Sequence, residues 1–158
     1  MQIFLFSVGT LKESYLRAAL SEYEKRISAY ATIKVTEISE ERISDEEDPV
    51  KIGTALEKEG QKLLSLCPAD AYKIALCVEG KELSSEALAE VFGEARDRGG
   101  KLALIIGSSH GLSPAVKAAC DLRLSVSRLT FPHQLMRVMI AEAIYRSLTI
   151  LAGKKYHK

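Results

Sequence analysis

The stretch "LALIIGSSHGLSPAVKAAC", residues 102–120, decides the fold. Its first five residues are all apolar, a run of strand length that fits a strand buried on both faces. Gly107 and Gly111 then bracket a loop, and Ser113-Pro114 marks a helix start. A serine caps the free backbone N–H groups, and proline at the first helical position loses only an N–H that would be unpaired anyway. Strand, glycine loop and helix in that order make half of a β-α-β unit.

The same alternation runs outward in both directions. Upstream, residues 1–8 read as a strand, and "LKESYLRAALSEYEKRIS" follows with Tyr15, Leu16, Ala19, Tyr23 and Ile27 at helical spacing. "TIKVTEIS" alternates apolar and polar residues, as a strand with one wet face does. "SEERISDEEDP" reads as an acidic, solvated surface loop closed by Pro49. A helix over residues 50–66 leads to the strand "YKIALCVEG", and "GKELSSEAL" opens a helix capped by Ser84 or Ser85 and stopped by Gly99-Gly100. Downstream of the opening stretch come the strand "LRLSVS" and a long helix over residues 132–152, with Thr130 as a candidate cap. This predicts an α/β fold with a mainly parallel sheet and helices on both faces.

At 158 residues the chain is expected to form a single domain. Its 47% hydrophobic and 27% charged residues exclude a wholly disordered polymer. No apolar run reaches the roughly 18 residues needed to span a bilayer. The N-terminal "MQIFLFSVG" lacks a basic region before its apolar residues, so it reads as a strand, and the expected setting is cytoplasmic. Cys67, Cys77 and Cys120 lack C-x-x-C spacing, and His110, His133 and His157 lie too far apart for a helical ligand pair. No metal is expected.

The net charge is +1, but it is unevenly placed. From Asp121 onward seven basic residues face only Asp121 and Glu142, leaving +5 there and −4 in the first 120 residues. A basic C-terminal third suits contact with a phosphate backbone; arginines solvated on helix faces are the plainer alternative.

Gly107-Ser108-Ser109-His110-Gly111 also fits the G-x-S-x-G turn of serine hydrolases, with Asp121 and then His133 or His157 following in triad order. Three features oppose a nucleophilic Ser109. The helix starts only at Ser113, leaving Ser109 in mid-loop. Asp121 falls at the start of the next strand, the wrong end of the sheet. No glycine-rich oxyanion loop precedes. The loop also lacks the third glycine of a dinucleotide fingerprint and the Gly-Lys-Ser/Thr of a P-loop. Its glycines do permit close backbone approach at the carboxyl end of a strand, where open α/β sheets bind ligands. An ordinary βα loop and a non-catalytic ribosome- or nucleotide-binding module remain the bland readings.

A second stretch, "LSVSRLTFPHQLMRVMIAEAIYR" (residues 124–146), shifts the balance. Backbone groups of residues 127–130 are suited to reading the edge of an adenine. His133, Arg137 and Arg146 project from the helix that follows, so a site between two loops is expected.

With these residues the chain resembles the SPOUT-class ribosomal RNA methyltransferases, specifically the methyltransferase H subfamily that acts on N3 of a pseudouridine in large-subunit (23S) ribosomal RNA. The resemblance runs through "SVGTLKESY", "KEG" (residues 58–60), "LSSEALAE", "IIGSSHGLSPAVK", the T-F-P-H-Q-L-x-R block and the terminal "YHK". It implies a C-terminal trefoil knot, which local reading does not yield because chain connections are ordinarily unknotted. It further implies a homodimer, the assembled ribosome as substrate and S-adenosyl-L-methionine as methyl donor. The implied cofactor contacts are Leu76, Gly107, Val126, Ser127, Arg128, Leu129, Thr130 and Phe131. The implied catalytic groups are His133, Arg137, Tyr156, His157 and Lys158, the last three reaching the target from the partner subunit. Where the family usually has two adjacent glycines this chain has Gly107-Ser108, which raises the question of loop strain. At Ala143 many relatives carry glutamine.

Overall fold

The computed structural model describes residues 1–154; Tyr156, His157 and Lys158 lie outside the described residues. Strands and helices alternate as β1 (Gln2–Val8), α1 (Ser14–Ile27), β2 (Thr32–Ile38), α2 (Pro49–Leu66), β3 (Tyr72–Glu82), α3 (Ser85–Asp97), β4 (Lys101–Ile106), α4 (Pro114–Ala118), β5 (Leu122–Ser125) and α5 (His133–Leu151). The sheet order is β2-β1-β4-β3-β5, and every pairing is parallel. All carboxyl ends therefore open on one side, with β4 flanked by β1 and β3.

The continuous apolar run of β4 follows from its position. Leu102, Leu104 and Ile106 face a core shared with α1, α3 and α5, whereas Ala103 and Ile105 face the core beneath α2 and α4. Neither face meets water, so alternation is absent. On α5, Ile140, Ala141, Ile144 and Leu148 are buried between α1 and α3. Ile140, Ile144 and Leu148 each contribute roughly 1.5–3 kcal/mol through burial, the Ala141 methyl less. Edge strand β2 keeps the polar/apolar alternation expected of a strand with a wet face.

The helix starts mostly follow local chemistry. Ser84 rather than Ser85 caps α3, accepting from Ala87 N. Ser113 caps α4, with Pro114 in its first turn. Asp48 caps α2 by accepting from Val50 N and Lys51 N, which moves that start one residue back to Pro49. Thr130 does not cap α5. Pro132 takes the cap position without a side-chain hydrogen bond, and the preceding segment is held by its own contacts instead.

One irregularity in the sheet shapes the site. β3 and β5 pair in register through Leu76, lose that register, and pair again at Lys81 and Glu82. Residues 77–80 thus bow out of the ladder. Gly80 permits their return, since a Cβ there would lie 2.6 Å from Leu124 C and 2.7 Å from Ser125 N.

Candidate functional site

At the carboxyl ends of β3, β4 and β5 lies a cavity of about 640 Å³, a volume suited to a nucleoside-sized molecule. Leu76, Ile106 and Leu124 form its apolar floor at the strand ends. The glycine loop forms one wall, the segment before α5 another, and the bowed residues Cys77, Val78 and Glu79 a third. His133 and Met136 close it from α5.

The glycine loop is drawn tight by its own backbone. Gly111 N donates to Ser108 O at 2.9 Å. A Cβ on Gly107 would lie 2.0 Å from Gly111 O, so the loop's two ends can meet only around a residue without a side chain. Ser108 is not strained: among the described residues no non-glycine has a positive φ. Serine is therefore accommodated where the resemblance leads one to expect a second glycine.

The segment between β5 and α5 is partly self-satisfied. Ser125 Oγ donates to Ser127 O, and Leu129 N donates to Ser127 Oγ, both at 3.0 Å. These two bonds occupy backbone groups that the sequence suggested were open for an adenine edge. Leu129 nevertheless remains 70% exposed beside the cavity, leaving apolar surface there for a flat ring.

Of the expected cofactor residues, Leu76, Gly107, Val126, Ser127, Leu129, Thr130 and Phe131 all line the cavity. Arg128 is exposed and does not line it. Sequence reading missed Cys77, Val78 and Glu79, because a regular strand would have kept them in the ladder, and Lys117, whose Nζ meets Glu79 Oε1 at 2.5 Å. That lysine holds the Glu79 carboxyl below its ordinary pKa.

His133 is half-buried at the cavity edge, and burial, reinforced by Arg137, pulls its pKa below the ordinary histidine value. Glu40 acts in the opposite sense. The imidazole is thus biased toward its neutral form. Arg137, on the same helix, does not line the cavity. It is 1% exposed, with Nη1 donating to Glu37 Oε1 at 2.6 Å and Nη2 to the carbonyls of Val8 and Gly9 at 2.8 and 3.0 Å. Arg146 pairs with Glu142 one turn away.

Ser109 is exposed, and its Oγ lies 3.3 Å from Nδ1 of its neighbour His110. Asp121 binds Lys73 N through Oδ2 at 2.7 Å, where β3 and β5 begin. Serine and aspartate thus stand at opposite ends of the sheet, and no triad forms with Asp121. Among the described residues, no cluster of three His, Cys, Asp or Glu side chains is placed to hold a metal ion. No helix there is long and apolar enough to cross a membrane. Cys67 is buried, Cys77 and Cys120 half-buried, and all three are free thiols.

A family model described as a predicted SPOUT methyltransferase matches residues 1–157. The chain belongs to the SPOUT methyltransferase family. Its relatives include the ribosomal RNA large subunit methyltransferase H of Bacillus pumilus, 42% identical, and that of Clostridium novyi, 43% identical. A protein of Methanococcus maripaludis named as a putative member of the same group is 42% identical. Each alignment covers 100% of this chain and 100% of the relative. Membership implies the α/β-knot fold, consistent with the all-parallel sheet, and the serine-hydrolase alternative finds no support.

Proposed function

We propose that this SPOUT protein methylates N3 of a pseudouridine in large-subunit ribosomal RNA. It would act as a homodimer on the assembled ribosome, in the cytoplasm, with S-adenosyl-L-methionine as donor. The observation that carries this reading is the gathering of Leu76, Gly107 and most of residues 126–131 around one cavity at the strand ends. The full-length similarity to proteins named as ribosomal RNA large subunit methyltransferases supports the substrate class.

The cavity fits the cofactor in size and lining. Leu76, Ile106, Leu129 and Phe131 offer apolar walls for an adenine, and the glycine loop lets backbone approach closely. When bound, the cofactor supplies a methyl carbon attached to a positively charged sulfur, open to in-line attack. The protein's task is then to place the target nitrogen and remove its proton. His133, biased toward the neutral form, accepts the N3 proton as general base. The electron pair left on N3 would form the new N–C bond as the methyl's C–S bond breaks, that bond's pair leaving with the sulfur as a neutral thioether. Arg137 acts through His133: its buried charge disfavours an imidazolium beside it, and its bonds to Val8 and Gly9 fix the end of β1. Tyr156, His157 and Lys158 are assigned to the target nucleotide, contributed by the partner subunit.

The test is transfer of labelled methyl from S-adenosylmethionine to ribosomes from cells lacking the modification, with the product nucleoside identified by mass spectrometry. N3-methylpseudouridine is the expected product. Absence of label with active cofactor and competent ribosomes overturns the assignment. Equal methylation of free large-subunit RNA and of ribosomes overturns the assembled substrate alone.

A further inference from the structure

A buried carboxyl lies beneath the glycine loop, outside the cavity lining. Glu59 on α2 is 4% exposed. Its Oε1 accepts from Glu41 N at 2.9 Å, whereas Oε2 is buried without a hydrogen-bond partner. The Ser108 side chain is close enough to this carboxyl to oppose the rise in its pKa. The neighbouring Gly60 brings α2 hard against the start of α4, since a Cβ there would stand 2.6 Å from Ser113 Oγ. Two adjacent residues of α2 thus meet both ends of the segment that carries the glycine loop.

The Glu41 backbone held by Glu59 adjoins Glu40, which returns to the site from the other side. Glu40 Oε2 and His133 Nε2 come within 3.8 and 4.0 Å of the point where a side chain on Gly9 would begin. Glu40 is the negative charge that favours protonation of His133, against Arg137 and Lys12. Glu40 is itself exposed, as is the loop around it, and a carboxylate there stays in place only if its backbone is anchored, because an unanchored loop samples many conformations.

We propose that Glu59 is a positioning residue that anchors the Glu41 backbone to the underside of the glycine loop and so keeps the Glu40 carboxylate beside His133. Burying an acid with one oxygen unpaired is costly, and a hydrophobic residue at this place in α2 would pack at less expense. Burial accordingly pushes the Glu59 carboxyl above its ordinary pKa, helped by Glu40 and Glu41 and opposed by the Glu41 N–H and Ser108. What the acid provides in return is an acceptor for a backbone N–H that no aliphatic side chain offers. Its consequence for methyl transfer rests on the assignment of His133 as base, but the tether does not.

The experiment is an NMR titration of His133 in the full chain, in the wild type and in Glu59→Gln, Glu59→Asp, Glu59→Ala and Glu40→Gln. Glutamine keeps an oxygen acceptor at the same reach, so the His133 midpoint stays within error of the wild type in Glu59→Gln. Aspartate is one methylene short and alanine has no acceptor, so in both the midpoint moves down, in the direction of Glu40→Gln. Glu59→Asp preserves the test if the alanine variant does not fold. Amide hydrogen exchange at Glu41, slow in the wild type and in Glu59→Gln, becomes fast in Glu59→Asp. An unmoved His133 midpoint in a folded Glu59→Asp, or an equal shift in Glu59→Gln and Glu59→Asp, overturns the proposal. Because neither readout uses methyl transfer, such a failure is separate from failure of the proposed activity.

Discussion

Arg137 on α5 donates to Glu37 Oε1 at 2.6 Å, joining residues a hundred positions apart in the chain. The same oxygen accepts from Leu11 N at 3.0 Å, so the pair locks together the end of β2, the loop after β1 and the first turns of α5. Removing one member of a buried pair leaves the other uncompensated and costs about 3–5 kcal/mol. Glu37 keeps 31% side-chain exposure, which places this pair near the lower end of that range. Arg137→Ala is expected to lower unfolding free energy by about 3 kcal/mol in urea with an unchanged m-value. Arg137→Lys recovers only part of it, since an ammonium cannot reproduce the fork that meets Glu37 and two carbonyls.

His133 predicts the pH profile. With His133 as the proposed general base, which works only when deprotonated, kcat/KM is expected to rise with pH through the imidazole pKa. Burial and Arg137 lower that pKa, and the acidic limb therefore inflects below the ordinary histidine value of about 6.5. The stability linkage has a matching sign. With the folded pKa depressed, the neutral ring's contribution is complete above the unfolded value and is lost as pH falls through the folded one. His133→Asn should remove the limb and reduce kcat by about 10²- to 10⁴-fold. A limb that persists unchanged in this variant would assign the proton to another group.

The glycine loop separates a steric role from a nucleophilic one. In Gly107→Ala the new carbon collides with the Gly111 carbonyl, a backbone atom unable to swing aside, so the loop must open. Affinity for S-adenosylhomocysteine, measured by calorimetry, should fall about tenfold or more, a loss of roughly 1.4 kcal/mol or greater. Ser109→Ala should leave binding and methyl transfer unchanged, and the wild type should resist fluorophosphonate labelling. Labelling at Ser109 would revive the nucleophile.

The sequence made the strand–loop–helix order legible because short apolar runs, caps and glycines are local signals. The mainly parallel sheet followed from near-continuous apolar strands, as the two faces of β4 illustrate. What stayed hidden was set by pairing between distant segments. Cys77, Val78 and Glu79 reach the cavity only because β3 leaves and rejoins the β5 ladder, and no residue-level signal marks that slip. Arg137 read as a group of the site, because its actual partners, at the ends of β1 and β2, lie a hundred residues or more earlier. Thr130 looked like a cap, but the tertiary path of residues 125–132 overrode that local preference.

Gly53 and Gly60, two turns apart on α2, should respond oppositely to the same substitution. A Cβ on Gly53 meets nothing within 4 Å, so Gly53→Ala only restricts the unfolded chain and should stabilise by about 0.5–1 kcal/mol. At Gly60 a Cβ would stand 2.6 Å from Ser113 Oγ and 2.8 Å from Val116 Cγ2, side chains exposed by only 1% and 0%. Neither can retreat within a packed core, and Ser113 also caps α4, so Gly60→Ala should destabilise by about 1–3 kcal/mol. Seven residues of helix separate the two sites by about 10 Å, and the changes should add within about 0.5 kcal/mol in the double variant. Urea unfolding of the four proteins checks sign and additivity together. A neutral Gly60→Ala would mean that α2 and α4 can part without cost, which the close packing of Gly60 on Ser113 forbids.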